Sequence, residues 1–317
     1  MATTSRPIAM DNDDSAPADD GLFGPGSVTW RVMSSPSTSL GTSAAVLAQM
    51  LHPKVVRLIA QASTFERNPE LRGRLTAEYG LTITYGDTAS AEAAGATLRK
   101  LHGRMKAVDI ETGEAYDANE PELLRWVHCT IPWALMRAYD RWGPDLTAEE
   151  KDRFVDEQRT AGRLVGLDPE TLPRTNAELE DYIASMIPKL AYTAEAGRIR
   201  AIMVPRKMPR SGNDVIMRLM SLAAVDILPE EMRHLYGYWW SPLHRGLLGL
   251  ATNGLLRSAV KKTPYERVLP GLREHARVHA FGTRALKINK DLRSSKSVTP
   301  TAATPDAQPS SEQIPAP

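Results

Sequence analysis

"LRKLHGRMKA", residues 98–107, is written in helical period. Leu98, Leu101, His102 and Met105 fall at i, i+3, i+4 and i+7, while Arg99, Lys100, Arg104 and Lys106 fall off that stripe. The spacing predicts an amphipathic helix over 88–106, opening after the Gly86-Asp87-Thr88 turn. It also turns an imidazole toward the apolar side. A buried imidazole costs on the order of 1–3 kcal/mol unless something partners it. His102 is therefore either a satisfied core histidine or a ligand.

The same period runs outward in both directions. Residues 40–65 carry Leu47, Met50, Leu51, Val55, Leu58, Ile59, Ala62 and Phe65 on one face, with His52 before Pro53 as a bend. Asn119, Pro121 and Glu122 read as the start of a helix that runs to about Trp142, with a kink at Pro132. On that helix His128 falls on the stripe Leu124, His128, Ile131, Leu135. Thr147 with Glu150 and Thr175 with Glu178 have the spacing of capping boxes. Further helices are expected at 195–203, 212–227, 229–237, 242–260 and 264–287. "LTITYG" (81–86) alternates, and reads equally as a short strand or as the continuation of a helix from residue 70. The fold class is all-α.

The chain has 317 residues, 42% of them hydrophobic, which is enough for one large core. Its net charge of +1 gives no electrostatic footprint for nucleic acid and no polybasic membrane anchor. A single cysteine, Cys129, excludes an internal disulfide framework. The N-terminus lacks an apolar core of the secretory kind, and Ile216–Leu228 and Trp239–Leu256 are broken by Arg218, Asp226, His244 and Arg245. No transmembrane segment is expected, and a soluble, cytoplasmic protein is. Residues 1–28 are acidic and polar and residues 291–317 are Ser/Thr/Pro-rich. Both read as disordered tails around one helical domain over 29–290.

Of the seven histidines, most read as ordinary. His275 and His279 share a helix face but lack the glutamate of a zincin, having Ala276 there. Glu231 and His234 form the single E-x-x-H, where a carboxylate-bridged di-iron bundle needs two. Cys129 sits mid-helix, where an inert buried thiol is the ordinary reading. The 12 methionines, Met186, Met203, Met208, Met217 and Met220 among them, read as core filling. His102 and His128 remain, each facing inward from its own helix. Consecutive helices usually pack as neighbours, which would bring the two together.

The sequence from about Trp30 to Leu167, with an echo at 228–240, resembles the rubber oxygenase (latex-clearing protein) catalytic-domain family, most closely its MpaB-type branch. The stretches that carry the likeness are "HPKVV" (52–56), "STFERNPELRGRLT" (63–76), "YG" (85–86), "LRKLHGRMKA" (98–107), "GEAYDANEPELLRWVHCT" (113–130) and "LPEEMRHLYG" (228–237). The resemblance implies a globin-like helical core holding one haem b, with His102 as the proximal ligand of the iron. It implies oxygenase chemistry with O2 on a double bond of an apolar or prenylated small molecule. The family's R-x-x-K-T pattern reads here as Arg72, Leu75 and Thr76, so the lysine is missing. Arg72, Thr76 and His128 are the candidate catalytic residues, and Arg72 also suits a haem propionate. An electron donor is not identified by the sequence. Two other readings stay open here. One is a non-catalytic haem- or lipid-binding helical protein. The other is a non-haem metal oxygenase using His102, His128 and carboxylates such as Glu122 or Asp117.

Overall fold

The computed structural model describes residues 19–109, 111–205, 209–279 and 281. The chain divides into two units after Gly282, and the described residues all belong to the first. The expected tail over 291–317, most of that over 1–28, and Met208 lie outside the described residues.

The described residues are predominantly helical. In chain order the helices are α1 (Val28–Met33), α2 (Thr38–Gln49), α3 (Pro53–Ala62), α4 (Pro69–Tyr85), α5 (Thr88–His102), α6 (Pro121–Trp142), α7 (Ala148–Val165) and α8 (Asn176–Met186). They continue with α9 (Ala194–Met203), α10 (Gly212–Ile227), α11 (Glu230–Leu235), α12 (Pro242–Lys262) and α13 (Tyr265–Val278). One antiparallel hairpin, β1 (Lys106–Val108) with β2 (Ala115–Asp117), joins α5 to α6 and pairs Ala107 with Tyr116.

Local chemistry explains the boundaries. Thr147 and Glu150 make a reciprocal capping box at α7, and Thr175 accepts from the Glu178 amide at α8. Gly166 ends α7 in the left-handed region at φ 100°, a conformation that costs a side-chain-bearing residue. The alternating 81–86 stretch is the last turn of α4, not a strand. Four expectations are corrected. The 40–65 stretch is two helices, because Pro53 has no amide to continue the ladder and His52 takes an extended conformation as the N-cap of α3. α5 stops at His102, so Met105 lies beyond the helix and leads into β1. Glu120, not Asn119, is the N-cap of α6; the Asn119 backbone N–H donates to Asp117 Oδ1 at 2.7 Å in the turn just before it. Ile131 is exposed, so the inward stripe of α6 does not include it.

α6 is the axis of the core. Trp126, Trp133, Trp142, Leu135 and Met136 along it are buried. Each contributes roughly 1.5–3 kcal/mol of transfer free energy. α2 crosses it at Gly41, where a Cβ would lie 2.8 Å from the Leu135 Cα, so the close approach depends on the missing side chain. α7 and α8 flank α6, while α10 packs on α2 and on α12. One buried carboxylate ties three of these helices. Asp226 of α10 is bound by Arg141 of α6 and by Arg245 of α12, the latter with Nε at 2.8 Å. α5 packs mainly on α4 and α7, and the hairpin follows it in the chain before α6. The expected neighbour packing of α5 and α6 is thus corrected.

Candidate functional site

α4 begins with Asn68 as N-cap and Pro69 in the first turn. From there its period places Arg72, Thr76 and Tyr79 on one face, at i, i+4 and i+7. The Arg72 guanidinium donates to Thr76 Oγ1 at 2.8 Å, and the Thr76 hydroxyl donates back to the Arg72 carbonyl at 3.0 Å. The threonine therefore uses both its acceptor and its donor to hold the arginine. Among the described residues Arg72 has no carboxylate partner, and its surroundings pull its pKa down from the ordinary arginine value. Leu75, at the position of the family lysine, is half-buried.

α5 brings His102 to this face as its last residue. Its Nδ1 is buried and has no hydrogen-bond partner. Burial, then the nearby positive charge of Arg72, pull its pKa down to about 4, against a smaller upward pull from Asp117. At neutral pH the ring is uncharged, with a lone pair available on one nitrogen. One turn earlier Arg99 donates to the Leu164 carbonyl and pins α5 to α7. Gly95 sits at the same crossing, where a Cβ would lie 2.9 Å from that carbonyl oxygen.

Tyr79 was not singled out by the sequence. Its hydroxyl is buried without a partner, its ring lies edge-on to Phe281 at 5.3 Å, and burial pushes the phenol above its ordinary range. The signal that would have found it is its spacing from Arg72 and Thr76.

His128 packs against α7. Its Nε2 faces α7 at Gly162, where a Cβ would stand 3.2 Å from the nitrogen. Burial alone pulls its pKa down to about 4. No hydrogen bond, ion pair or ring contact among the described residues joins His128 to His102, Arg72 or Thr76. The structure thus brings Arg72, Thr76 and His102 together and leaves His128 on the α6–α7 seam.

The remaining candidates have local duties. His52 is buried with an unpartnered Nδ1, and its ring lies 6.3 Å from that of Trp126. Glu122 reaches Lys189 at 2.9 Å on the His52 side of the molecule, so it does not join Asp117 at His102. Among the described residues no three His, Cys, Asp or Glu side chains form a metal-holding group, so the donor set for a non-haem centre is not assembled. His234 stacks on Trp239 at 3.8 Å and His244 Nδ1 bonds Ser241 Oγ at 2.8 Å. Tyr116 donates to the Lys54 carbonyl at 3.1 Å and fastens the hairpin to α3. Cys129 is buried beside Arg125, and burial pushes its thiol up to about 12.

Residues 30–258 match the model of the family described as ER-bound oxygenase mpaB/B'/rubber oxygenase, catalytic domain. The chain belongs to that family. It carries an oxygenase catalytic domain, and hence an oxidoreductase fold. No curated protein and no solved structure matches it. No helix among the described residues is long and apolar enough to cross a membrane.

Proposed function

We propose that the chain is a haem-b-dependent oxygenase that uses O2 to oxidise or cleave a double bond of an apolar or prenylated small molecule. One observation carries the reading: a buried, neutral imidazole with an unpartnered nitrogen, beside a guanidinium with no carboxylate of its own. That pair fits a haem, which asks the protein for one axial nitrogen and offers carboxylates in return. Haem, when bound, supplies the activation of O2.

The chain's own residues do the rest. His102 offers a nitrogen that needs no deprotonation at neutral pH. Arg72 would pair with a propionate of the haem, and Thr76 holds the guanidinium by the two bonds described above. Leu75 replaces a cation with an apolar side chain, which suits a hydrocarbon substrate with little to hydrogen-bond. Cleavage of a double bond by O2 places one oxygen atom on each of two new carbonyls and so balances without an external electron donor. His128 is assigned no contact with the reacting atoms.

An absorption spectrum of the purified protein, with a pyridine haemochrome assay, tests this directly. A Soret band in the parent that is lost or shifted in His102→Ala supports the reading. A parent that stays colourless after haem is supplied overturns it. A haem-loaded parent that consumes no O2 with any prenylated alkene points to a haem-binding protein without turnover.

A further inference from the structure

α12 is apolar on both sides. Thr252 and Leu256 are buried against the rest of the molecule. Leu243, Leu247 and Leu250, at i, i+4 and i+7, face solvent, and Leu255 further along is exposed off that line; Leu243 is 71% and Leu250 76% exposed. A helix that is apolar all round normally has both sides covered. The neighbouring α10 packs on α12 and exposes apolar residues of its own. Asp226 near its C-terminus pairs with Arg245 near the start of α12, and Val215, Ile216 and Met217 near the N-terminus of α10 are exposed. Trp239, 72% exposed, stands at the entrance to α12.

Charge says what covers this face. From Pro242 to Lys262 there is no aspartate or glutamate. Arg210, Arg218, Arg257 and Lys262 flank the apolar residues, and none has a carboxylate partner among the described residues. Arg218 and Arg257 donate only to backbone carbonyls. Asp214, the nearest acid on α10, is engaged as the capping partner of Ser211. A second copy seated face to face would set these cations against each other. An anionic lipid surface takes both parts: leucines and a tryptophan enter the headgroup boundary, and arginine and lysine stems reach back to the phosphates.

We propose that the α10–α12 face docks the protein on an anionic membrane surface, lying in the interface without spanning it. The inference stands apart from the haem reading. It makes the bilayer the place where an apolar substrate is met.

Vesicle flotation of the full chain tests it, with phosphatidylcholine vesicles against vesicles that also contain phosphatidylglycerol. The parent is expected to float with the anionic vesicles and to release as salt is raised. Leu247→Glu/Leu250→Glu is expected to lower partitioning by about tenfold or more, because two exposed apolar side chains that would enter the headgroup boundary become charged. Arg257→Gln/Lys262→Gln is expected to weaken binding to the anionic vesicles only. All four positions lie on the surface helix, and an unchanged circular dichroism spectrum and melting temperature confirm that the variants fold. The proposal is overturned if the parent stays in solution with both vesicles, or if the double glutamate variant floats as well as the parent. It is equally overturned if light scattering shows a dimer that the double glutamate variant breaks while vesicles go unbound, since a second copy then covers the face. The Soret band is read separately, so failure here leaves the haem reading where it stood.

Discussion

His102 and His128 are both held neutral by the fold, with pKa values pulled from 6.5 to about 4. The unfolded chain takes up these protons near pH 6.5 and the folded chain only near pH 4. Between those values the unfolded state binds more protons, so stability falls as pH falls through this window. Each histidine contributes up to roughly 1.4 kcal/mol per pH unit there. Urea denaturation of the haem-free protein at pH 7 and pH 5 is expected to show the loss, and His128→Gln is expected to reduce its slope. At the same scale, Arg72→Ala is expected to weaken haem retention while leaving the fold intact, because its side chain bonds only to its own helix neighbour. Arg72→Lys is expected to recover part of the retention, since it restores the charge without the fork. The inward aim of His102 was legible in the sequence, because the 3.6-residue period carries direction. Its pairing with Arg72 was not legible, because that depends on how α4 packs on α5. The likeness to the rubber oxygenases named both residues without joining them. Tyr79 escaped notice for the same reason: a tyrosine has no motif until its hydroxyl is seen to be buried and alone.

Helix contacts set the next level. At the α2–α6 crossing, Gly41→Ala would place a Cβ 2.8 Å from the Leu135 Cα, which is backbone and cannot rotate away. The helices must separate, at a cost of about 1–3 kcal/mol. The gain from the better helix former, at most about 1 kcal/mol, offsets only part of it. A lowered urea midpoint with an unchanged slope is the expected result. Asp226→Ala is expected to cost about 1–3 kcal/mol, because Arg141 and Arg245, which solvent reaches, lose the carboxylate that joins α6, α10 and α12. Helix order was readable because caps and period agree at α7 and α8. The hairpin was not, because strands of three residues carry no period. The expectation that Asn119 starts α6 is one residue off: Asn119 belongs to the turn that Asp117 closes, and Glu120 is the N-cap.

For the whole molecule, the proposed cofactor links to folding. A group that binds only the native state raises stability by RT ln(1 + [L]/Kd), about 2.7 kcal/mol at a hundredfold excess over Kd. The melting temperature of the parent is therefore expected to climb with added haemin, and that of His102→Ala to stay flat. A parent whose melting temperature ignores haemin would count against the assignment of His102. The core supplies a second readout that needs no cofactor. Cys129 is the chain's one thiol, it lies within the packed length of α6, and burial holds its pKa at about 12. A maleimide finds no thiolate there while the core is closed. Its rate of addition is thus a clock for the opening of α6. One covalent mark per molecule, weighed by mass spectrometry, counts the openings without an engineered probe.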